Sequence, residues 1–305
     1  MPTGPRLEFR RRPSVAAYML RALHPAALRR PGPFPAFEVR WRQARPDRRR
    51  LGEFLRLTGL PDEGVLPALY PQALTFPMQL VILTHPACPI PIWRVLQVRN
   101  HMLQHRAIPQ DTDLDFEARV SSQRVLEKGM ELDIHVAARS GGETAWESLT
   151  TYYYRGRYGQ GGPASPWSDA PAVPSSEIAR WRTASGGGWR FSGVSGDYNG
   201  IHYWARYARL LEFRGALHHP LVLVGQCLAR LPTSPTRAQR LDAWLKGPVY
   251  YGCDVALHAS GEPPALTFAL RARDDGRPAI LGRWRAVGSE SRLLDEGDSL
   301  AASVV

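Results

Sequence analysis

A nine-residue segment occurs twice in this chain, and that repeat constrains the fold more than any other feature. Ala73-Leu74-Thr75-Phe76-Pro77-Met78-Gln79-Leu80-Val81 returns 143 residues later as Ala216-Leu217-His218-His219-Pro220-Leu221-Val222-Leu223-Val224, with five of nine positions identical. In each copy the proline suits a first helical position, where its missing N–H costs nothing. The residues after it are mostly apolar all round, the pattern of a helix buried on every side. Proline-rich stretches, 86–91 and 232–235, close the two copies. The repeat therefore predicts two similar halves, each with a buried helix opening at Pro77 or Pro220.

Strand signals follow each helix. Residues 114–120 and 131–136 alternate apolar and polar, the turn Ser140-Gly141-Gly142-Glu143 comes next, and 145–154 is rich in Thr and Tyr. Residues 249–258, 265–273 and 279–287 repeat the plan, with Asp275-Gly276 as a hairpin turn. Each half reads as an apolar helix followed by an antiparallel meander. The expected fold is α+β, an intrachain double hotdog with two antiparallel sheets, each wrapped around a central helix. The expected organisation is a basic N-terminal arm (1–34), an N-terminal hotdog (35–155), a Gly- and Pro-rich linker (156–175), a C-terminal hotdog (176–287) and a flexible tail (288–305).

Composition narrows the function classes. The net charge of +11 is almost entirely arginine, since lysine occurs only at Lys128 and Lys246. Such a balance favours anionic partners. Zinc-finger spacing, an aromatic RNA-binding signature and a long basic helix are all missing from the sequence, which argues against a nucleic-acid partner. Cys88, Cys227 and Cys253 are odd in number and far apart, against a disulfide framework or a structural zinc site and in favour of a reducing compartment. The sequence contains no transmembrane-length apolar run and no convincing secretory signal, so a cytoplasmic location is expected.

The chemistry-bearing segment is Phe191-Ser192-Gly193-Val194-Ser195-Gly196-Asp197-Tyr198-Asn199-Gly200-Ile201-His202. It reads as a polar loop, neither core strand nor helix, before a helix-like stretch at 203–211. It delivers a carboxylate and an imidazole five residues apart. Taken singly, Asp197 or Asn199 could cap the following helix, and His202 could be an ordinary surface histidine.

The whole string resembles the signature of the MaoC-like (R)-specific hydratases and dehydratases. The matching positions are Phe191, Ser195, Gly196, Asp197, Asn199, Ile201, His202 and Ala208. The resemblance extends over roughly 35–287. It implies hydration of a trans-2-enoyl thioester, or dehydration of an (R)-3-hydroxyacyl thioester, on coenzyme A or acyl carrier protein. It implies Asp197 and His202 as the pair acting on water, with Asn199 holding the loop or the water. It implies Ser195, Gly196, His219 and Leu221 around the substrate, and neither cofactor nor metal. The N-terminus of the helix at 219–221 would supply donors to the thioester oxygen.

Two positions depart from the family pattern. Gly200 stands where proline is usual. Pro220 stands where the glycine of a His-Gly pair is usual, and proline has no N–H to give. The first half lacks the constellation, because Phe54 and Gly59 lie 143 residues before Asp197 and His202. By resemblance that half holds the acyl chain, along the uncharged stretch 78–83. His101 and His105 read as structural. A hotdog thioesterase and a non-catalytic acyl-binding module are the competing readings. Both monomer and homodimer fit a chain that already contains two hotdogs.

Overall fold

The computed structural model describes residues 6–22, 34, 36–88, 90, 92–272, 276–288 and 291–293. Among these residues eleven strands, numbered along the chain from β1 (Arg6–Phe9), form one continuous sheet in the order β1-β2-β4-β5-β6-β3-β8-β11-β10-β9-β7. The first half contributes β2 (Glu38–Ala44), α2 (Arg48–Thr58), α3 (Tyr70–Leu83), β3 (Leu96–Gln104), β4 (Leu114–Leu126), β5 (Gly129–Ser140) and β6 (Glu143–Arg155). The second contributes β7 (Glu177–Arg182), α4 (Gly188–Ser195), α5 (Ala205–Leu210), α6 (Pro220–Leu228), β8 (Gln239–Leu245), β9 (Asp254–Glu262), β10 (Ala265–Ala272) and β11 (Pro278–Ala286). The half-sheets β2-β4-β5-β6-β3 and β7-β9-β10-β11-β8 have the same topology, as the repeat requires.

The expectation of two sheets needs correction. β3 and β8 pair antiparallel across the middle, joining both meanders into one sheet. Left apart, each would expose an edge of unpaired N–H and C=O groups. Asn100 sits opposite Ala243, the residue 143 positions later, so the ladder is centred on the axis that relates the repeats. His101 faces Asp242 in this ladder, and its Nδ1 lies 2.9 Å from Asp242 Oδ1 with both residues buried. Arg240 Nε also donates to Asp242 at 2.9 Å. Burial alone would raise the Asp242 carboxyl, but the His101 hydrogen bond and the Arg240 charge hold it below the usual range. His101 therefore has the structural role read from the sequence, although it lies within a strand.

The two central helices start differently. Pro220 opens α6, but α3 opens seven residues before Pro77, which lies in its interior. Every residue of α3 except Phe76 is buried. α3 packs on β2, β4 and β5, and α6 packs on β11 and α2.

The described part of the N-terminal arm holds β1 (Arg6–Phe9), which pairs parallel with β2, and α1 (Val15–Ala22), which packs on α3. Residues 1–5 and 23–33 lie outside the described residues. Segment 156–175 has neither helix nor strand, but it is not wholly exposed. Trp167 lies 5.0 Å from the His101 ring, and its carbonyl accepts the Trp244 indole N–H at 2.9 Å. Of the tail, Leu293 is buried against Leu103 and Leu149, and 294–305 lie outside the described residues.

Candidate active site

The segment read as a loop begins as a helix. Phe191–Ser195 belong to α4, and Gly196, at φ 85°, ends that helix in the left-handed region. Glycine tolerates that conformation where a side chain would strain it. Ser195 Oγ donates to the Phe191 carbonyl at 3.0 Å and accepts Asp197 N–H at 3.0 Å. Asp197 Oδ1 accepts Asn199 N–H at 3.0 Å, and Asn199 Oδ1 accepts Ile201 N–H at 3.2 Å. Each polar side chain thus closes the next tight turn, and a short 3₁₀ turn at Gly200–His202 carries the imidazole inward. Asn199 thus caps the 3₁₀ turn that follows it, the role its residue type allows.

Gly188 makes this arrangement possible. A Cβ there would collide with the His202 carbonyl and the Tyr251 hydroxyl. The Tyr251 hydroxyl donates to that same carbonyl at 3.0 Å.

Asp197, His202 and His219 converge, with one polar atom of each within 4.8 Å of the others. His202 Nδ1 faces the Leu217 carbonyl at 3.1 Å. A carbonyl only accepts, so Nδ1 carries the ring proton and Nε2 presents a lone pair. Burial, and then the neighbouring His219, push His202 down to about 4, so it is neutral near pH 7.

His219 has the opposite tautomer. Its Nδ1 accepts Leu221 N–H at 3.2 Å, which places the proton on Nε2, 3.3 Å from Asp197 Oδ2. The Phe191 ring packs on it with centroids 4.3 Å apart. Burial would raise Asp197, but the His219 hydrogen bond, the two imidazoles and the Asn199 amide together hold it below its usual range. The site therefore holds a carboxylate and an imidazole lone pair, both proton-free near neutrality. Three such groups could suit a metal ion, but His219 Nε2 is protonated in this arrangement and has no lone pair for one.

These groups open into a cavity of about 340 Å³. Asp197, Asn199, Ile201, His202, His219 and Pro220 line one side of it. Phe76, Leu80, Leu83, Ile92, Trp93 and Tyr152 of the first half line the other, and Met19 of α1 joins them. Phe76, the one residue of α3 not buried, faces this space. Of the expected substrate neighbours, His219 reaches the cavity. Gly196 does not; it turns the chain under Val15 and Pro77. Ser195 and Leu221 line only a small adjoining space shared with His219 and Tyr152.

The expected donor site at 219–221 is also altered. Besides the absent Pro220 N–H, the Leu221 N–H is taken by His219 Nδ1, and those of Val222 and Leu223 by the His219 carbonyl. Sequence reasoning missed Tyr152, Tyr251 and Gly188. The Thr- and Tyr-rich run at 145–154 gave no sign of which tyrosine faces inward.

No protein-family profile matches the chain. It is 24% identical over 242 residues to 3-hydroxyacyl-thioester dehydratase X of Mycobacterium tuberculosis, covering 79% of this chain and 86% of that protein. The crystal structure of HtdX from the same organism superposes with a TM-score of 0.69 at 23% identity, over 82% of this chain and all of that one. A MaoC-like dehydratase from Phytophthora capsici gives a TM-score of 0.67 at 16% identity, over 84% and 95%. The full-length peroxisomal multifunctional enzyme type 2 of Drosophila melanogaster gives 0.65 at 16% identity, over 83% of this chain and 48% of that chain. The resemblance read from the Asp197–His202 string is thus matched by a shared fold. No helix among the described residues is long and apolar enough to cross a membrane.

Proposed function

We propose that this chain, built on the fold of MaoC-like dehydratases, is a hydro-lyase that interconverts trans-2-enoyl and (R)-3-hydroxyacyl thioesters. The observation that carries the reading is the pairing of Asp197 with the lone-pair face of His202 at the end of an apolar cavity. In hydration, a water held between Asp197 and His202 Nε2 attacks Cβ. One of its protons passes to Nε2, and the imidazolium returns a proton to Cα, so the net change is addition of H₂O. The Asp197 carboxylate offsets the transient imidazolium charge. Dehydration is the same path reversed. His219 positions Asp197, and the Tyr251 and Leu217 contacts position His202.

The acyl tail lies along Phe76, Leu80, Leu83 and Ile92. Burying it there contributes about 0.8 kcal/mol per methylene. Past Asn199 and Ile201 the cavity adjoins a groove of similar size that reaches Tyr154 and Arg155. That groove suits the pantetheine arm of coenzyme A or of acyl carrier protein.

The test follows the ultraviolet absorbance of crotonyl-CoA and of a longer trans-2-enoyl-CoA, with wild type and Asp197→Asn side by side. Loss of the enoyl band that depends on Asp197, giving a product oxidised only by an (R)-specific dehydrogenase, is the expected result. The blocked amides of α6 favour one second reading, an acyl-thioester-binding module. It predicts binding with no turnover in either protein.

A further inference from the structure

Hydration of an enoyl thioester builds negative charge on the thioester oxygen, and a donor must meet it there. The entrance of α6 has no donor to spare: Pro220 has no N–H, and the amides of Leu221, Val222 and Leu223 are all bonded within the His219 turn. We propose that the donor comes from the other half of the molecule, and that the Tyr152 hydroxyl on β6 binds the thioester oxygen. The proposal rests on the hydro-lyase reading given above.

Tyr152 lines the cavity that Asp197, His202 and His219 also line. It also lines the small space that reaches His219 and Leu221, where the committed amides lie. Its hydroxyl donates to Gln79 Oε1 at 2.7 Å, while Gln79 Nε2 is buried with no hydrogen-bond partner. A buried orphan N–H is rarer and costlier than an underused carbonyl. Turning the Gln79 carboxamide over lets Nε2 donate to Tyr152 Oη and releases the phenol proton toward the cavity. The two amide orientations have nearly the same shape, so the turn needs no repacking. Burial, and then the Asp197 charge, push the Tyr152 phenol well above its usual range. It therefore keeps its proton and can donate it to the thioester oxygen. Of the other cavity-lining donors, the Trp93 indole N–H is spent on the Ala22 carbonyl at 2.9 Å. Asn199 sits in the Asp197 turn, on the water side. Gln97 and Lys246 also line the cavity and are the competitors to test.

Tyr152→Phe keeps the ring that fills the core and removes only the hydroxyl. The expected result is a loss of about 10²-fold in kcat with KM changed little, as when one oxyanion donor is removed. A spectroscopic readout separates this role from a structural one. Hexadienoyl-CoA bound to Asp197→Asn should absorb to the red of free ligand, because the polarised carbonyl draws on the diene. In the Asp197→Asn/Tyr152→Phe double variant the ligand should bind without that shift. Wild-type kcat in Tyr152→Phe, or a red shift that survives Tyr152→Phe, overturns the tyrosine while leaving the hydro-lyase reading intact, and loss of the shift in Gln97→Met or Lys246→Met then identifies the donor. No turnover of any enoyl thioester by the wild type overturns both.

Discussion

The two halves share a topology and use it for different ends. In the second half the chain reaches its central helix through Gly196, Asp197 and His202, and His219 caps that helix with its ring. In the first half the corresponding stretch is α2, which buries Leu51, Phe54, Leu55 and Thr58 and ends at Gly59 in the left-handed region. Phe54, 143 positions before Asp197, is fully buried there and packed on Tyr70 and Phe191 with centroids 5.4 and 6.5 Å apart. One copy of the approach segment thus supports the core, and the other carries groups that a core would not tolerate. The two meet where the Phe54 ring lies tilted against Phe191, which in turn packs on His219.

This contrast can be pressed by mutation. Asp197→Asn should lower kcat/KM by about 10³-fold or more while leaving the urea midpoint nearly unchanged. Phe54→Ala should do the reverse, costing about 3–5 kcal/mol of stability with near-normal kcat for the folded fraction. An Asp197→Asn variant that unfolds, or a Phe54→Ala variant as stable as wild type, breaks the contrast.

Gly188→Ala tests whether the second half keeps its loop under steric control. The new methyl collides with the His202 carbonyl and Tyr251, and a displacement of an ångström should cost about 10²-fold in kcat. Gly193, in the same helix, has open space around its Cβ position. Gly193→Ala should instead raise stability by about 0.5–1 kcal/mol.

pH acts more gently and on both halves, since burial also lowers His101 of β3. His202 and His218, both of the second half, are held down to about 4 chiefly by burial, against an ordinary value of 6.5. Below pH 6.5 the unfolded chain takes up these protons and the native chain refuses them. Stability is therefore full above pH 6.5 and falls as pH drops toward 4, by a few kcal/mol in all. Urea titrations at pH 7.5, 5.5 and 4.5 should show this slope, and His218→Asn should flatten it. The smallest expected effect belongs to the first half's wall: kcat/KM should rise about fourfold per added methylene of substrate until the cavity fills, which is 0.8 kcal/mol expressed as a rate. A flat chain-length series would deny that wall its role.

How much of this was legible beforehand follows from how each segment earns its burial. The meanders β4–β6 and β9–β11 show in alternation and turns, and α6 shows in its proline and apolar run. β3 and β8 did not show, because Arg99, Asn100, His101 and Gln104 in one and Gln239 and Asp242 in the other are buried polar residues. Their partners lie far off in the chain, as His101 with Asp242 or Arg99 with Glu131 at 2.5 Å. Local pattern carries no trace of such compensation, and without β3–β8 two sheets were expected in place of one. β2 carries a signal of its own, since Glu38-Val39-Arg40-Trp41 alternates, but it lies well before the apolar repeat and is separated from the meander it joins. At the site, the motif gave Asp197, Asn199 and His202. Tyr152 and Tyr251 reach it only through tertiary packing.

The β3–β8 ladder also bears on how the molecule assembles. It joins segments separated by well over a hundred residues, the kind of contact whose loop-closure entropy makes it slow to form. Each half can close its own meander from neighbouring strands, but the cavity has walls from both. Turnover during refolding would then report the docking of the halves, and its delay behind the recovery of secondary structure would time that one event.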